Sequence, residues 1–376
     1  MTAAGGLWSL TRGEARSDQL WGVDADVAGD VYVAGYGQSP ASAPFYDVVL
    51  YKLTSAGQQL WRAQWGGPFQ EKSFVVAVSP PYVLVGGEQS DSLDVNRSKL
   101  VVLAFDTSTG HLAWTWSWDS GAGYDEVDGL VVDGDSIYVS GWVGSASASG
   151  DVVVARLDRS TRATTWLRTW GGPGFDEADG QLVVDDHAVY VSGRYGGSGP
   201  LTGGQALLAR FDKATGAETG HVTWGNGLYE DGLGMTSDGT SLYVTGLSIE
   251  GFNGQIFLRA FDKDLETAWS QDWGGSGGES ARAVAIGPSG TIVVAGSTFS
   301  SGAGKDDVVL LGYSPAGRLL WQHVWGGPGH DAAYGLAIAG STGYIAGATE
   351  NGAVGQEDGL LVRVDAGAGT FPPAPH

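Results

Sequence analysis

Cysteine is missing altogether from the 376 residues, which excludes disulfide staples, thiolate metal centres and cysteine nucleophiles. Positive charge is scarce: 20 Lys and Arg stand against 42 Asp and Glu, a formal charge of −22. Phosphate backbones and anionic bilayer surfaces repel such a chain, so neither nucleic acid nor a membrane is expected as a partner. Cations, cationic surfaces and neutral ligands fit better. No apolar run approaches the ~18 residues of a spanning helix, and "MTAAGGLWSL" lacks the basic-then-apolar order of a leader, so membrane insertion is not expected. Histidine is sparse, at six residues, and no His-x-x-x-His or phosphate-loop spacing occurs.

What the sequence has in excess is glycine, 63 residues, and tryptophan, 15. They recur together, as "WGGPFQEKSFV" from Trp65, "WGGPGFDEADG" from Trp170, "WGGSGGESARA" from Trp273 and "WGGPGHDAAYG" from Trp325. The repeating unit is about fifty residues long and carries four β-type runs in fixed order. After Tyr124 these are "DGLVVD", "SIYVSG", "DVVVARLD" and "TWLRTW". The third run is nearly continuously apolar, as in "DVVLYKL" from Asp47, so both of its faces must be covered. Seven units are counted. Leu7-Trp8 aligns with the fourth-run positions Leu60-Trp61 and Leu320-Trp321, while the last unit stops after its third run, "GLLVRVD". The expectation is an all-β, seven-bladed β-propeller of four-stranded antiparallel blades, closed by the N-terminal strand completing the last blade. Residues 1–370 form that single domain, and the proline-rich residues 371–376 form a tail or linker start.

The pattern of "YVSG", "DVVVARLD" and "WGGPGFDEADG" resembles the bacterial and archaeal SBBP β-propeller repeat over essentially the whole chain. The resemblance implies a propeller in an extracellular or cell-surface setting, as part of a larger surface protein, and brings no general catalytic motif.

Six residues after each second Trp position stands an acid: Asp18, Glu71, Asp176, Glu230, Glu279 and Asp331, with Asp125 displaced by one. Such acids could line a channel mouth and bind a cation. The structural reading, in which each accepts N–H groups of its own glycine loop, is favoured because a site seldom needs one residue seven times. Around them the units diverge, at Tyr36, Tyr124, Trp142, Phe175, Arg194, Tyr195, Tyr229, Arg282 and His330. These are the ligand-binding candidates, an aromatic and polar surface suited to sugar rings or an extended peptide.

No catalytic constellation is assigned; His330 with Asp331 is the weak exception. The first reading is a non-catalytic binding or scaffold propeller taking a carbohydrate or protein around the channel mouth. The alternatives are a polysaccharide lyase or glycoside hydrolase using these carboxylates, and a purely structural assembly module. No cofactor is predicted; Ca²⁺ is the metal that the acidic composition admits.

Overall fold

The computed structural model describes residues 6–13, 17–38, 44–145, 149–199, 202–250, 253–351 and 356–374. Two residues of the expected tail, 375 and 376, lie outside these. The described residues form strands with a single 3₁₀ turn at Pro288–Gly290. No helix among them is long and apolar enough to cross a membrane.

The chain divides into two compact units, one of Met1–Val85, Ala104–Trp114 and Ala285–His376, the other of Gly86–Leu103 and Thr115–Val284. Unit one contains the antiparallel sheet Asp18–Ala25, Val31–Gly37, Asp47–Leu53, Gln59–Trp65. It also contains a sheet in which Trp8–Arg12 pairs with Asp358–Asp365, followed by Thr342–Thr349 and Asp331–Ala339. Unit two contains Glu230–Ser237, Leu242–Glu250, Asn253–Phe261, Thr267–Trp273 and a nine-stranded sheet. The latter is two meanders, Tyr124–Asp133 to Thr164–Trp170 and Phe175–Glu177 to Glu218–Trp224, joined at one parallel pair, Gly150 beside Phe175. Two further four-stranded sheets are Glu71–Ser79 to Leu112–Trp118 and Glu279–Ile286 to Leu319–Trp325.

Burial follows the apolar pattern. The third strands Asp47–Leu53 and Asp307–Tyr313 are buried almost throughout, whereas the fourth strand Gln59–Trp65 alternates exposed with half-buried residues, as an outer strand should. First strands carry a buried acid at or next to their first residue, and four of them then show a register shift, between Leu20 and Gly22, Val127 and Gly129, Asp231 and Gly234, and Ala333 and Gly335. The residue after the shift is glycine because neighbouring first strands meet backbone to backbone there: a Cβ on Gly335 would collide with the Trp21 carbonyl.

Sheets are tied to one another by indoles. In four of the fourth strands the first tryptophan donates its Nε1–H to a turn carbonyl in the following repeat: Trp8 to Ser55, Trp61 to Thr107, Trp166 to Lys213 and Trp321 to Gly367, at 3.1–3.3 Å. The receiving turns bring a glycine onto the indole face, as at Gly216 (φ +72) under Trp166. Where Gly220 replaces the tryptophan, Leu265 takes the turn position (φ +69) and fills the space against Gly220. There Arg210 Nη1 supplies the missing donor, to the Lys263 carbonyl at 2.8 Å. The proline-rich end also packs: Phe371 stacks on Trp325, whose Nε1–H is donated to the Pro372 carbonyl at 3.0 Å.

Leu265→Ala keeps the left-handed turn but empties the substitute for the indole, and should cost about 2 kcal/mol or more, read from urea unfolding; no shift in midpoint would refute the filling role. Deleting residues 1–12 removes the register that pairs Leu10 with Leu361 and uncovers a core of Leu20, Val33 and Tyr344. The truncated chain should melt several degrees lower and self-associate through the bared Asp358–Asp365 edge on size-exclusion chromatography.

Candidate functional site

The Trp-Gly-Gly segment, replaced by Trp118-Asp119-Ser120 and Trp224-Gly225-Asn226 in two repeats, carries a fourth strand to the next first strand, and the acid at the start of that strand folds back onto it. Glu71 accepts the Gly67 N–H at 3.1 Å, Glu279 that of Gly275 at 2.9 Å and Asp331 that of Gly327 at 2.8 Å. Asp176 accepts from Gly172 and Gly196 at 2.5 and 2.7 Å, Glu230 from Asn226 and Gly227 at 3.0 Å. Asp125 takes the Ser120 N–H and hydroxyl at 2.7 and 2.6 Å. Asp18 is likewise buried, and its own N–H is donated to the Glu357 carbonyl at 2.9 Å. The first glycine of the pair leaves room for two carboxylates: a side chain at Gly171 would strike Asp151 and Asp176, and one at Gly326 would strike Asp307 and Asp331. Burial raises the Asp176 and Asp331 carboxyls, and the facing Asp151 and Asp307 charges add to it. Gln255 stands where a second acid would face Glu279.

The residues one and three places beyond the loop acid build a different feature in unit two. Glu126 and Asp128, Glu177 and Asp179, and Asp231 converge: oxygens of Glu126, Asp128 and Asp179 lie within 4.8 Å of one another, as do those of Glu177, Asp179 and Asp231. Asp179 is brought there because the first-strand shift widens in this sheet to a break between Phe175–Glu177 and Val183–Val184. Arg194, with no exposed surface, pairs with Glu177 at 3.0 Å and lies over the Tyr229 ring at 4.9 Å and the Phe175 ring at 5.9 Å. Tyr124 and Trp142 stack at 5.0 Å and both donate to Glu126, at 2.6 and 3.1 Å. The Tyr229 hydroxyl is donated to Asp231 at 3.2 Å.

Burial dominates the electrostatics. It raises Glu126 to about 7, with the Glu88 charge adding, and lifts Asp128 and Asp231 well above the carboxylate range. Glu177 is raised to about 10, burial again leading, with Asp179 and Asp231 adding and Arg194 opposing. Two arginines, Arg194 and Arg282, act on these acids as attractive charges. Against five carboxylates they leave an excess of negative charge in a recess of low polarity, which favours taking up protons or a cation.

Of the residues singled out in the sequence, Tyr124, Trp142, Phe175, Arg194, Tyr229 and Arg282 belong to this assembly. They are its walls: Trp142 is 7% exposed and Phe175 1%, so their ring faces are covered. Tyr195 does not join them. Successive strand residues point to opposite faces, and its ring packs instead against Trp170 and His221. Tyr36 lies in unit one, donating to Gln19 at 2.6 Å within a cluster of Trp21, Tyr46 and Phe74, while Trp21 stacks on Tyr334 at 4.3 Å. His330, also in unit one, is clamped by Asp306 at Nδ1 and Glu357 at Nε2, 3.1 Å. Their hydrogen bonds raise it to about 10, so it is a fixed cation at neutral pH rather than a base. Asp331 is occupied by the Gly327 N–H and the Asn351 amide. Gly274-Gly275-Ser276-Gly277-Gly278 spells a nucleophile-elbow pattern, but it runs from strand to strand and not from strand to helix.

Glu126, Asp128, Glu177, Asp179 and Asp231 were not among the sequence candidates. Their signal is a column signal, Asp-Glu-x-Asp at Asp125 to Asp128 and again at Asp176 to Asp179, followed by Glu230-Asp231.

Asp151→Asn should raise the melting temperature at pH 7, because it removes the charge facing Asp176. A carboxyl raised in the folded state adds stability below its unfolded value, near 3.8, and loses it as pH climbs through the folded value. The advantage of the variant should therefore vanish in melts at pH 3; an equal gain at both pH values would point to packing instead.

Four-stranded antiparallel sheets of this kind recur in solved propellers. The WD40 β-propeller domain of Doa1 is 10% identical at a TM-score of 0.57, with 96% of each chain covered. The quinohemoprotein alcohol dehydrogenase from Comamonas testosteroni is 13% identical at 0.53, covering 98% of this chain and 78% of that one. The β-propeller domain of the Trilobed protease from Pyrococcus furiosus, described as having an open velcro topology, is 9% identical at 0.53, covering 96% and 98%. At such identities the likeness is one of fold, and the fold is a β-propeller. No curated protein matches the chain in sequence. The family model described as outer membrane protein assembly factor BamB matches residues 148–336, half of the chain, and the chain belongs to that family of β-propeller repeats.

Proposed function

We propose that the chain is a non-catalytic binding scaffold: a seven-bladed propeller of the secreted SBBP repeat type, closed by its N-terminal strand and holding a protein partner at the strand-start side. It works outside the cell or at its surface, as part of a larger protein. The register of Trp8–Arg12 on Asp358–Asp365 supports the closure, and the recurrence of the Trp-Gly-Gly unit supports the count.

One observation carries the functional reading. The loop acid is kept in every repeat, whereas the columns beside it change from repeat to repeat: Gln19, Lys72, Glu126, Glu177, Asp231, Ser280 and Ala332 one place on, Trp21, Phe74, Asp128, Asp179, Leu233, Arg282 and Tyr334 three places on. A constant frame that presents variable side chains is the design of a recognition surface. A protein segment fits better than a sugar, because stacking on a sugar needs an open ring face and Trp142 and Phe175 are covered. Membership of a family described as an assembly factor favours docking over turnover. Hydrolase or lyase chemistry is disfavoured by the engagement of Glu177 with Arg194 and by the protonated, clamped His330.

The test is photo-crosslinking in the source cells with a benzophenone side chain at Leu228, 56% exposed just before Glu230–Ser237, or at Thr240, exposed just after the same strand. A discrete adduct of one mass from position 228 and none from 240 is the expected result. Adducts from both or neither, or new reducing ends when the protein is incubated with polysaccharides, would overturn the reading.

A further inference from the structure

We propose that the acidic recess of unit two is a calcium site, in which Glu126, Asp128 and Asp179 give oxygens to one divalent cation and Glu177 and Asp231 close it from the far side. Two oxygens bound to one calcium at about 2.3–2.6 Å can lie no further apart than about 4.6–5.2 Å. Both triads meet that limit, and they share Asp179.

A second observation, independent of the clustering, points to a missing ligand. Asp231 has no exposed surface; its Oδ2 takes the Tyr229 hydroxyl, and its Oδ1 has no donor. The buried Oδ2 of Asp128 also has none. A carboxylate oxygen removed from water and left without a donor is costly unless a cation meets it. Arg194 and Arg282 attract these acids through space, but Arg194 pairs directly with Glu177 at 3.0 Å, and no donor, from either arginine or elsewhere, is hydrogen-bonded to Asp231 Oδ1.

The donor chemistry selects the ion. All five donors are carboxylates, with neither imidazole nor thiolate among them, which suits a hard cation and not zinc or copper. Donors drawn from three successive first strands form an uneven cage, which calcium accepts and magnesium, with its strict octahedron and tightly held water, resists. Glu126 is already oriented by Tyr124 and Trp142, the kind of outer support that fixes a metal-binding carboxylate. The inference does not depend on the partner proposed above, since it concerns the ion alone.

The experiment uses the full chain, stripped with EDTA and titrated calorimetrically with CaCl₂, with MgCl₂ and with CaCl₂ after Asp179→Asn. The expected result is one calcium per chain, magnesium at least tenfold weaker, and at least tenfold loss in the variant. Terbium luminescence excited through tryptophan should be displaced by calcium and should dim in Trp142→Phe. Without metal, Asp179→Asn should melt higher than the parent, because a repelling charge is gone; the same concentration of calcium should raise the parent more than the variant. Glu126→Gln repeats the test should Asp179→Asn fail to fold. No saturable binding, or unchanged affinity in a folded variant, would overturn the site. A positive calcium result with a negative crosslink would leave the site standing and remove the partner.

Discussion

An indole N–H donated to a carbonyl one repeat away is the contact on which the arrangement rests. Trp8, Trp61, Trp166 and Trp321 each reach forward 46 or 47 residues, to the turn that precedes the next fourth-strand position, so every such bond ties one sheet to its successor. The flat apolar body of the ring fills the gap between sheets while its single donor fixes their register. At Gly220 the indole is lost, yet both of its tasks survive. Leu265 takes over the volume and Arg210 the hydrogen bond. That two unrelated side chains replace one ring indicates that the constraint lies in the joint and not in tryptophan as such.

With the joints fixed, the same eleven residues do two things at once. The glycines let carboxylates press into the loop, and the loop N–H groups hold those carboxylates in place. Cost and compensation sit in one motif: burial and a like charge raise Asp176 and Asp331, and the backbone donors pull them down. This secures the start of each first strand, and with it the side chains one and three places further on.

In unit two those following positions are acidic in three successive first strands, and the result is a concentration of charge that the rest of the fold must tolerate. Arg194 is the internal answer, sandwiched between aromatic rings and aimed at Glu177. In unit one the positions three places on are aromatic, and Phe74 and Tyr334 both pack on Trp21, while Lys72, one place on, lies over the Tyr36 and Tyr46 rings. A single scaffold thus presents an acidic and an aromatic character in different repeats, through changes confined to two columns.

The propeller was legible in the sequence because its determinants are local and repeated: period-two strands, buried third runs such as Asp47–Leu53, glycine turns, and the spacing of tryptophan pairs. The pairing of residues 8–12 with 359–363 was also legible, because one repeat lacks a strand that the other end of the chain supplies. The candidate site was readable only in part. Tyr124, Trp142, Phe175, Arg194 and Tyr229 drew notice as residues that differ between repeats, but their burial as walls did not follow from their identity. Nor did the convergence of Asp128, Asp179 and Asp231, which depends on strand shifts between Val127 and Gly129, between Phe175 and Glu177, and between Asp231 and Gly234. Sequence alone determined the repeat, the strand order and the joints, since those rest on contacts with a fixed spacing along the chain. Only the tertiary structure decided which acids face one another, because a shift of one residue turns a side chain from one face of a strand to the other.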